Sequence, residues 1–332
     1  VSTAPPAHMA SFDGGAGWLN SPPLTPQMLQ GKVVLVDFWE YTCINCLRTL
    51  PYLREWYRRY HDKGLVIIGV HTPEFHFSGE RAHVAAAAKR LGVAWPVVLD
   101  DDFAIWKRYG NTIWPHEYLY DQSGRLVESV EGEGGYPQTE ARIQALLKSA
   151  DPKLTFPPVM ALLPADSYDK PGAVCYPKTP EILIEAARIA NATAFNDPTS
   201  DTNYADASPS HADGRIYLQG FWHATSQALV SGGGNGRLTM RYHAIEVMAV
   251  MKPEAGSALR VDVMQDGKPI ARSDAGADIR YDARGASYVT VDAPRSYDLL
   301  ANARFGAHDL QLAPEGYGAG IYDFAFESCE IP

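Results

Sequence analysis

Cys43-Ile44-Asn45-Cys46 is the group whose residue types and spacing most directly support chemistry in this sequence. Two intervening residues let both sulfurs share one helical turn, which suits reversible exchange between a dithiol and a disulfide. At a helix N-terminus the first thiol would be exposed, and unpaired backbone N–H groups would favour its thiolate. The second would lie one turn deeper, in reach of a mixed disulfide formed on the first. Three other readings compete. A structural zinc knuckle needs a second pair of ligands nearby. The remaining cysteines, Cys175 and Cys329, are far along the chain, and His71, His76 and His83 show no ligand pattern. A c-type haem site needs His directly after the second cysteine, where Leu47 stands. A plain structural disulfide is the bland alternative. The reading favoured is redox exchange, with no metal and no cofactor beyond the cysteine pair.

The elements around the pair favour exchange. Val33–Trp39 reads as a buried strand running straight into the motif. Leu47, Leu50, Leu53, Trp56, Tyr57 and Tyr60 repeat at helical spacing, which predicts a helix over Leu47–His61 with a kink at Pro51. Further along, the pattern predicts a strand at Leu65–His71, an Ala-rich helix at Glu80–Leu91 ended by Gly92, a strand at Pro96–Leu99 and a short helix at Phe103–Tyr109. Glu117–Tyr120 and Leu126–Glu131 flank Asp121-Gln122-Ser123-Gly124 as a hairpin, and Thr139–Ser149 closes the region as a helix. A short helix is expected at Leu24–Gly31. The result is an α/β domain over residues 1–150, with parallel strands joined by crossover helices and an antiparallel edge.

Prolines at 152, 157, 158, 164, 171, 177 and 180 mark residues 151–180 as a linker. Beyond it the texture changes. Ile216–Phe221, Ala228–Ser231, Leu238–His243, Glu246–Met251, Ala258–Met264, Tyr288–Val291, His308–Leu312 and Ile321–Glu327 are short β-like runs separated by Gly, Pro, Asp and Asn. They predict an all-β, jelly-roll-type sandwich over residues 181–332, with Pro180–Ala190 as its one candidate helix.

The bulk numbers exclude several classes. With 332 residues, 46% hydrophobic and 20% charged, the chain reads as two well-packed domains. A net charge of −10 and the absence of a basic run argue against a nucleic-acid partner. No stretch has the length and polarity of a transmembrane helix. Residues 1–12 carry no signal-peptide pattern, and Val1–Pro6 reads as a processed or truncated end ahead of which a signal or membrane segment stays open. Cys175 and Cys329 lie near the two ends of the second half, where a bridge would staple a β domain and imply an oxidising compartment. Two unrelated buried thiols are the alternative.

Val36-Asp37-Phe38-Trp39 through Cys46 resembles the thioredoxin superfamily. Trp18-Leu19-Asn20, Gly31 through Trp39, Tyr41 through Cys46, Gly69-Val70-His71-Thr72-Pro73-Glu74-Phe75 and Trp114-Pro115 resemble, more narrowly, the extracytoplasmic TlpA-like region of DipZ-type proteins. Those fuse a CcdA-like membrane module to a thioredoxin-like domain and a carbohydrate-binding-module-like sandwich. The resemblance covers most of residues 15–150. It extends more loosely over 175–330, through Leu238–Ala244 and Asp266-Gly267-Lys268-Pro269. The membrane module is absent from this sequence.

The resemblance implies that Cys43 is the nucleophile and Cys46 the resolving thiol. It implies a cis peptide at Trp114-Pro115, with the Trp114 backbone free to pair with a substrate strand. Asp37 matches a buried acid with a raised pKa that exchanges a proton with Cys46. Glu40 is a second candidate for proton handling, or an exposed residue on the approach to the helix. Ile44 and Asn45 stand where thioredoxins have Gly-Pro and tune the redox poise in a direction the sequence does not show. Trp39, Tyr41 and Trp114 form either an apolar collar for substrate or core.

In the second half, Tyr217, Phe221, Trp222, Tyr242, Tyr281, Tyr288, Tyr297, Tyr317 and Tyr322 could stack a sugar or simply fill the core. Asn196–Asp213 is rich in oxygen ligands but lacks calcium-loop spacing. Docking of a protein partner is the third option, by analogy alone. The expected function is extracytoplasmic thiol–disulfide exchange with protein substrates, with a CcdA-type membrane donor and a tether in the full-length protein both compatible. A peroxiredoxin-like thiol peroxidase is the alternative enzyme. Thr42 would serve it, but it also needs an Arg that is not identifiable there. A non-catalytic sugar- or protein-binding module is the alternative outside enzymes.

Overall fold

The computed structural model describes residues 5–163, 170–184, 189–191 and 201–331. The chain divides into two compact units, Val1–Asp169 and Lys170–Pro332.

The first unit is built around β2 (Val33–Trp39), whose seven residues are all buried. A run buried throughout, and apolar save for Asp37, suits a central strand covered on both faces. The unit also contains β1 (Gly17–Leu19), α1 (Ile44–Tyr60), β3 (Leu65–His71), α2 (Arg81–Leu91), β4 (Val97–Leu99), α3 (Ala104–Tyr109), β5 (His116–Tyr120), β6 (Leu126–Glu131) and α4 (Tyr136–Ala150). The sheet order is β1-β4-β3-β2-β5-β6. β2, β3 and β4 run parallel, whereas β1, β5 and β6 join antiparallel. Val34, Val36 and Phe38 share one face of the sheet with Ile68, Val70, Tyr118 and Tyr120. Strand alternation therefore puts Asp37, Trp39 and Glu117 on the other face.

The helix bearing the thiols begins at Ile44 rather than Leu47, because Cys43 itself caps it. Pro51 lies inside this helix, which continues to Tyr60. Gly92 ends α2 in the left-handed conformation, φ +69°, and donates its N–H back to Ala88 and Lys89. The short helix expected at Leu24–Gly31 is instead a run of turns, with Met28, Leu29 and Gln30 N–H bonding to the carbonyls of Thr25, Pro26 and Gln27. Each of these bonds spans three residues rather than four, so the segment coils as successive turns, and Gly31, at φ +81°, ends it.

Residues 151–163 do not hang free as a linker. Arg59 donates to the Pro158 carbonyl, Met160 N–H to Glu140, and Leu163 N–H to the Tyr52 hydroxyl, so this Pro-rich run lies on the first unit.

Among the described residues the second unit is all β: β7 (Val174–Cys175), β8 (Ile182–Leu183), β9 (Thr202–Tyr204), β10 (Ile216–Ala224), β11 (Leu229–Gly232), β12 (Arg237–Pro253), β13 (Leu259–Gln265), β14 (Lys268–Pro269), β15 (Arg280–Tyr281), β16 (Ser287–Val291), β17 (Arg295–Pro314), β18 (Tyr317–Glu327) and β19 (Cys329–Glu330). Eleven strands form one sheet around a core that includes Leu218, Trp222, Met240, Tyr242, Val263, Tyr297, Leu310 and Phe324. β12 pairs with β10 and then β18 along one edge, while β10 reaches β18 through β11, so this part of the sheet closes on itself.

The two runs read at Leu238–His243 and Glu246–Met251 are one 17-residue strand, β12. A register shift between Ala244 and Glu246 marks the seam that made them look separate. Ile182–Leu183 is a strand pairing with β18, not the start of a helix, and residues 185–188 of that expected helix lie outside the described residues. Part of the Asn196–Asp213 segment, residues 196–200, lies outside them as well. β7 pairs with β19 in the register that sets Cys175 opposite Cys329, and the two are joined by a disulfide.

Candidate active site

Cys43 stands at the N-cap of α1, and its sulfur accepts the Cys46 N–H at 3.3 Å. The two sulfurs are 2.6 Å apart, with the Cys46 thiol donating to Cys43. Cys46 is buried and Cys43 half-buried, and neither is in a disulfide in this structure. Cys43 is thus less open than the sequence implied. Burial pushes its thiol pKa up, and the Glu40 and Glu74 carboxylates push the same way against the lowering effect of the Cys46 thiol and N–H. The expected thiolate stabilisation at the helix N-terminus is outweighed. Burial also holds the Cys46 thiol well above its ordinary value, with the Cys43 sulfur and the Asp37 carboxylate adding to it.

Glu40 is not an exposed residue on the approach to the helix. It is fully buried, and one oxygen accepts from Thr42 N–H at 2.5 Å, from the Thr42 hydroxyl and from Cys43 N–H at 3.0 Å. This carboxylate therefore ties down the loop that presents Cys43. Burial raises the Glu40 pKa, and those three donors oppose the shift. His71 Nε2 is 3.9 Å from the second Glu40 oxygen. Burial lowers the His71 pKa to about 3, so its imidazole is neutral at physiological pH.

Asp37 lies wholly inside, and neither carboxyl oxygen has a hydrogen-bond partner among the described residues. Burial raises its pKa to about 7. Its neighbour on β3 is Gly69 and its neighbour on β5 is Glu117. A Cβ at Gly69 would meet the Trp39 indole nitrogen at 2.7 Å, so glycine lets the Trp39 ring lie over the strand beside Asp37. Glu117 is also buried, and its pKa is raised well above the carboxylate range by burial, with the Asp37 and Glu128 charges adding to it. The sequence reading missed Glu117. A charged residue in the otherwise apolar run after Pro115 was its signal, but only strand register shows that it faces Asp37.

The Trp114–Pro115 peptide is cis. Pro115 is buried and Trp114 half-buried, with the Trp114 ring 4.4 Å from Trp106 between centroids. Trp39 and Tyr41 do not form an apolar collar. Both are core residues enclosing His71, with Tyr41 stacked on it at 5.5 Å and Trp39 edge-on at 5.3 Å. Ile44 and Asn45 are half-buried, and Asn45 accepts from Arg48, which also pairs with Glu133 at 2.9 Å.

Among the aromatics of the second unit, Trp222, Tyr242, Tyr297 and Tyr322 are buried, Tyr217, Tyr281 and Tyr288 half-buried, and Phe221 and Tyr317 exposed. Among the described residues there is no cluster of His, Cys, Asp and Glu able to hold a metal ion, and no helix long and apolar enough to cross a membrane.

Residues 20–145 match the redoxin family, and residues 179–326 match a family described as the thioredoxin-like C-terminal domain. The DipZ proteins of Mycobacterium bovis and Mycobacterium tuberculosis are each 32% identical over 316 residues, covering 94% of this chain and 42% of their own length. The chain thus spans less than half of these relatives. The thiol-disulfide oxidoreductase YkuV of Bacillus subtilis is 25% identical over 43% of this chain and 96% of its own. The thiol-disulfide oxidoreductase ResA of Bacillus thuringiensis is 30% identical over 37% of this chain and 66% of its own. The chain therefore carries a redoxin-type, thioredoxin-like domain followed by a thioredoxin-like C-terminal domain, and is similar to DipZ across both.

Proposed function

We propose that this chain is a thiol–disulfide oxidoreductase that acts on protein substrates outside the cytoplasm. The observation that carries the reading is the pair of sulfurs at one helix N-terminus, 2.6 Å apart, the outer half-buried and the inner buried above an ionisable carboxyl. In the reducing direction the Cys43 thiolate attacks a substrate disulfide, forming a mixed disulfide and releasing one substrate thiol. Cys46 then gives its proton to Asp37 and attacks the Cys43 sulfur. The Cys43–Cys46 disulfide forms and the second substrate thiol leaves, so the substrate gains the two electrons that the dithiol loses. The raised Cys43 pKa supports this direction, because an oxidant draws its potential from a stabilised thiolate. The Trp114 backbone, directly ahead of Pro115, is the position for pairing with an extended substrate segment.

The covalently closed second unit fits an oxidising compartment, and a CcdA-type membrane protein is the class of donor that would re-reduce the pair there. A sugar ligand on the second unit would use Phe221 and Tyr317, the exposed aromatics among its described residues. The peroxidase alternative is disfavoured. The Thr42 hydroxyl is buried and committed to Glu40, and Arg48 is held by Asn45 and Glu133. Reduction of a protein disulfide tests the reading. Cys43→Ser should drop turnover to background, and Cys46→Ser should accumulate a mixed disulfide with substrate. Undiminished turnover in Cys43→Ser overturns it.

A further inference from the structure

The acid beneath the cysteines does not stand alone, and the groups beside it form a path. Asp37 on β2 and Glu117 on β5 are direct cross-strand partners. Side chains so placed have Cβ atoms about 5 Å apart, and the Asp37 charge is felt at Glu117. Glu117 in turn pairs with Val130 on β6, and Glu128, two residues away, lies on the same face of that strand. Glu128 has one buried carboxyl oxygen with no hydrogen-bond partner among the described residues, while the other lies 3.5 Å from Arg142 on α4. The Arg142 side chain is half exposed. Three carboxyls on three adjacent strands thus lead from the buried thiol to the protein surface.

We propose that Asp37 and Glu117 act as one proton-sharing pair under Cys46, and that Glu128 connects the pair to solvent. The proposal rests on the oxidoreductase reading for its use, since resolution by Cys46 must deliver a proton to a site that water does not reach. The proton leaves the Cys46 thiol for Asp37, and a proton passes from Glu117 to Glu128 and on to bulk water. The pair ends the step with the charge it began with, and the released substrate thiolate takes its proton from solvent.

The groups around the pair are consistent with this. Cys46 faces it from α1, with Cys43 and Glu40 beyond. Gly69 faces it from β3 and contributes no charge, and His71, two residues on, is neutral. Glu128 faces it from β6, with Arg142 behind on α4. Two carboxyls held this close inside a protein do not both ionise, so the pair retains one proton near neutral pH. Glu117 is a positioning and relay residue here, not one that touches substrate.

The test is a carbon-13 NMR titration of the side-chain carboxyls in the reduced full chain, read without substrate. In the unaltered protein, the Asp37 and Glu117 signals should both move through the same two titration steps. Glu117→Gln should collapse these to one Asp37 step, displaced downward by about one unit or more as the like charge is lost. A Glu117 signal that titrates alone, in the ordinary range near pH 4, overturns the pair, and this reading needs no variant to fold. For the outlet, Glu128→Gln should slow single-turnover resolution of a preformed mixed disulfide about fivefold or more and enlarge its solvent isotope effect. Alkylation of Cys43 should be unchanged, and Glu128→Asp should recover most of the rate. A resolution rate within about twofold of the unaltered protein overturns the outlet. A protein that shows coupled carboxyls but exchanges no disulfides would refute the oxidoreductase reading and leave the pair standing.

Discussion

Replacing Glu40 by Gln should make Cys43 more reactive. Gln keeps the shape and one acceptor oxygen for the N–H groups of Thr42 and Cys43, but removes the charge. That carboxylate is 3.0 Å from the Cys43 nitrogen, so its separation from the Cys43 sulfur is roughly 6 Å. At an effective dielectric of about 20, such a charge opposes a thiolate by roughly 3 kcal/mol, equivalent to about two pKa units. Well below the pKa, each unit of decrease raises the thiolate fraction tenfold. It also lowers the nucleophilicity of that thiolate by about threefold, leaving a net gain of about threefold per unit. The expected rise in alkylation rate near neutral pH is therefore about tenfold, with the midpoint of the pH–rate profile moving down by one to about two units. Iodoacetamide labelling of the reduced protein reads this directly, because Cys46 is buried and the label reports Cys43. A rate within about twofold of the unaltered protein, with an unmoved midpoint, would show that Glu40 does not bear on the thiol through its charge.

Two further outcomes follow from the buried acid and the bridge. Asp37 has its pKa raised from 3.8 unfolded to about 7 folded, so the folded state binds the proton more tightly, and stability falls as pH rises across that window. Asp37→Asn should therefore be more stable than the unaltered protein by at most about 4 kcal/mol in urea unfolding above pH 7, with the difference vanishing near pH 4. Equal stabilities above pH 7 would count against a buried, perturbed Asp37. Replacing both Cys175 and Cys329 by Ser opens a loop spanning 154 positions. Chain entropy puts that loss at about 5 kcal/mol, and calorimetry should show the transition of the second unit about 10–20 °C lower. A decrease under about 3 °C would mean that the sheet holds its ends without the bridge.

What was legible in the sequence was what local pattern encodes. The apolar run Val33–Trp39 and the helical spacing from Leu47 to Tyr60 located the strand and helix on which the thiols sit, and the structure has both. Cys43, Cys46 and Asp37 could be singled out because a motif sits near them in the chain. Glu117 could not, because its partnership with Asp37 exists only through the β2–β5 register, which no local pattern carries. Glu40 reads from the sequence as equally at home in solvent for a related reason. Its burial depends on Thr42, Cys43 and His71 closing around it, and next to a helix start a lone Glu has no periodicity to report. Trp39 and Tyr41 were ambiguous because aromatic residues serve surfaces and cores alike. Their packing on His71, from the adjacent strand, decided it.

The bridge between Cys175 and Cys329 makes the second unit a closed ring in the topological sense. A tension applied between the chain before Cys175 and the chain after Cys329 is carried by one covalent link and does not enter the sheet. The long ladder between β12 and β17, and the closure of β18 onto β12, would therefore not be unzipped by pulling on whatever is attached at either side. Reduction of that one bond would convert the unit from a mechanically shielded body into one that bears load through hydrogen bonds alone.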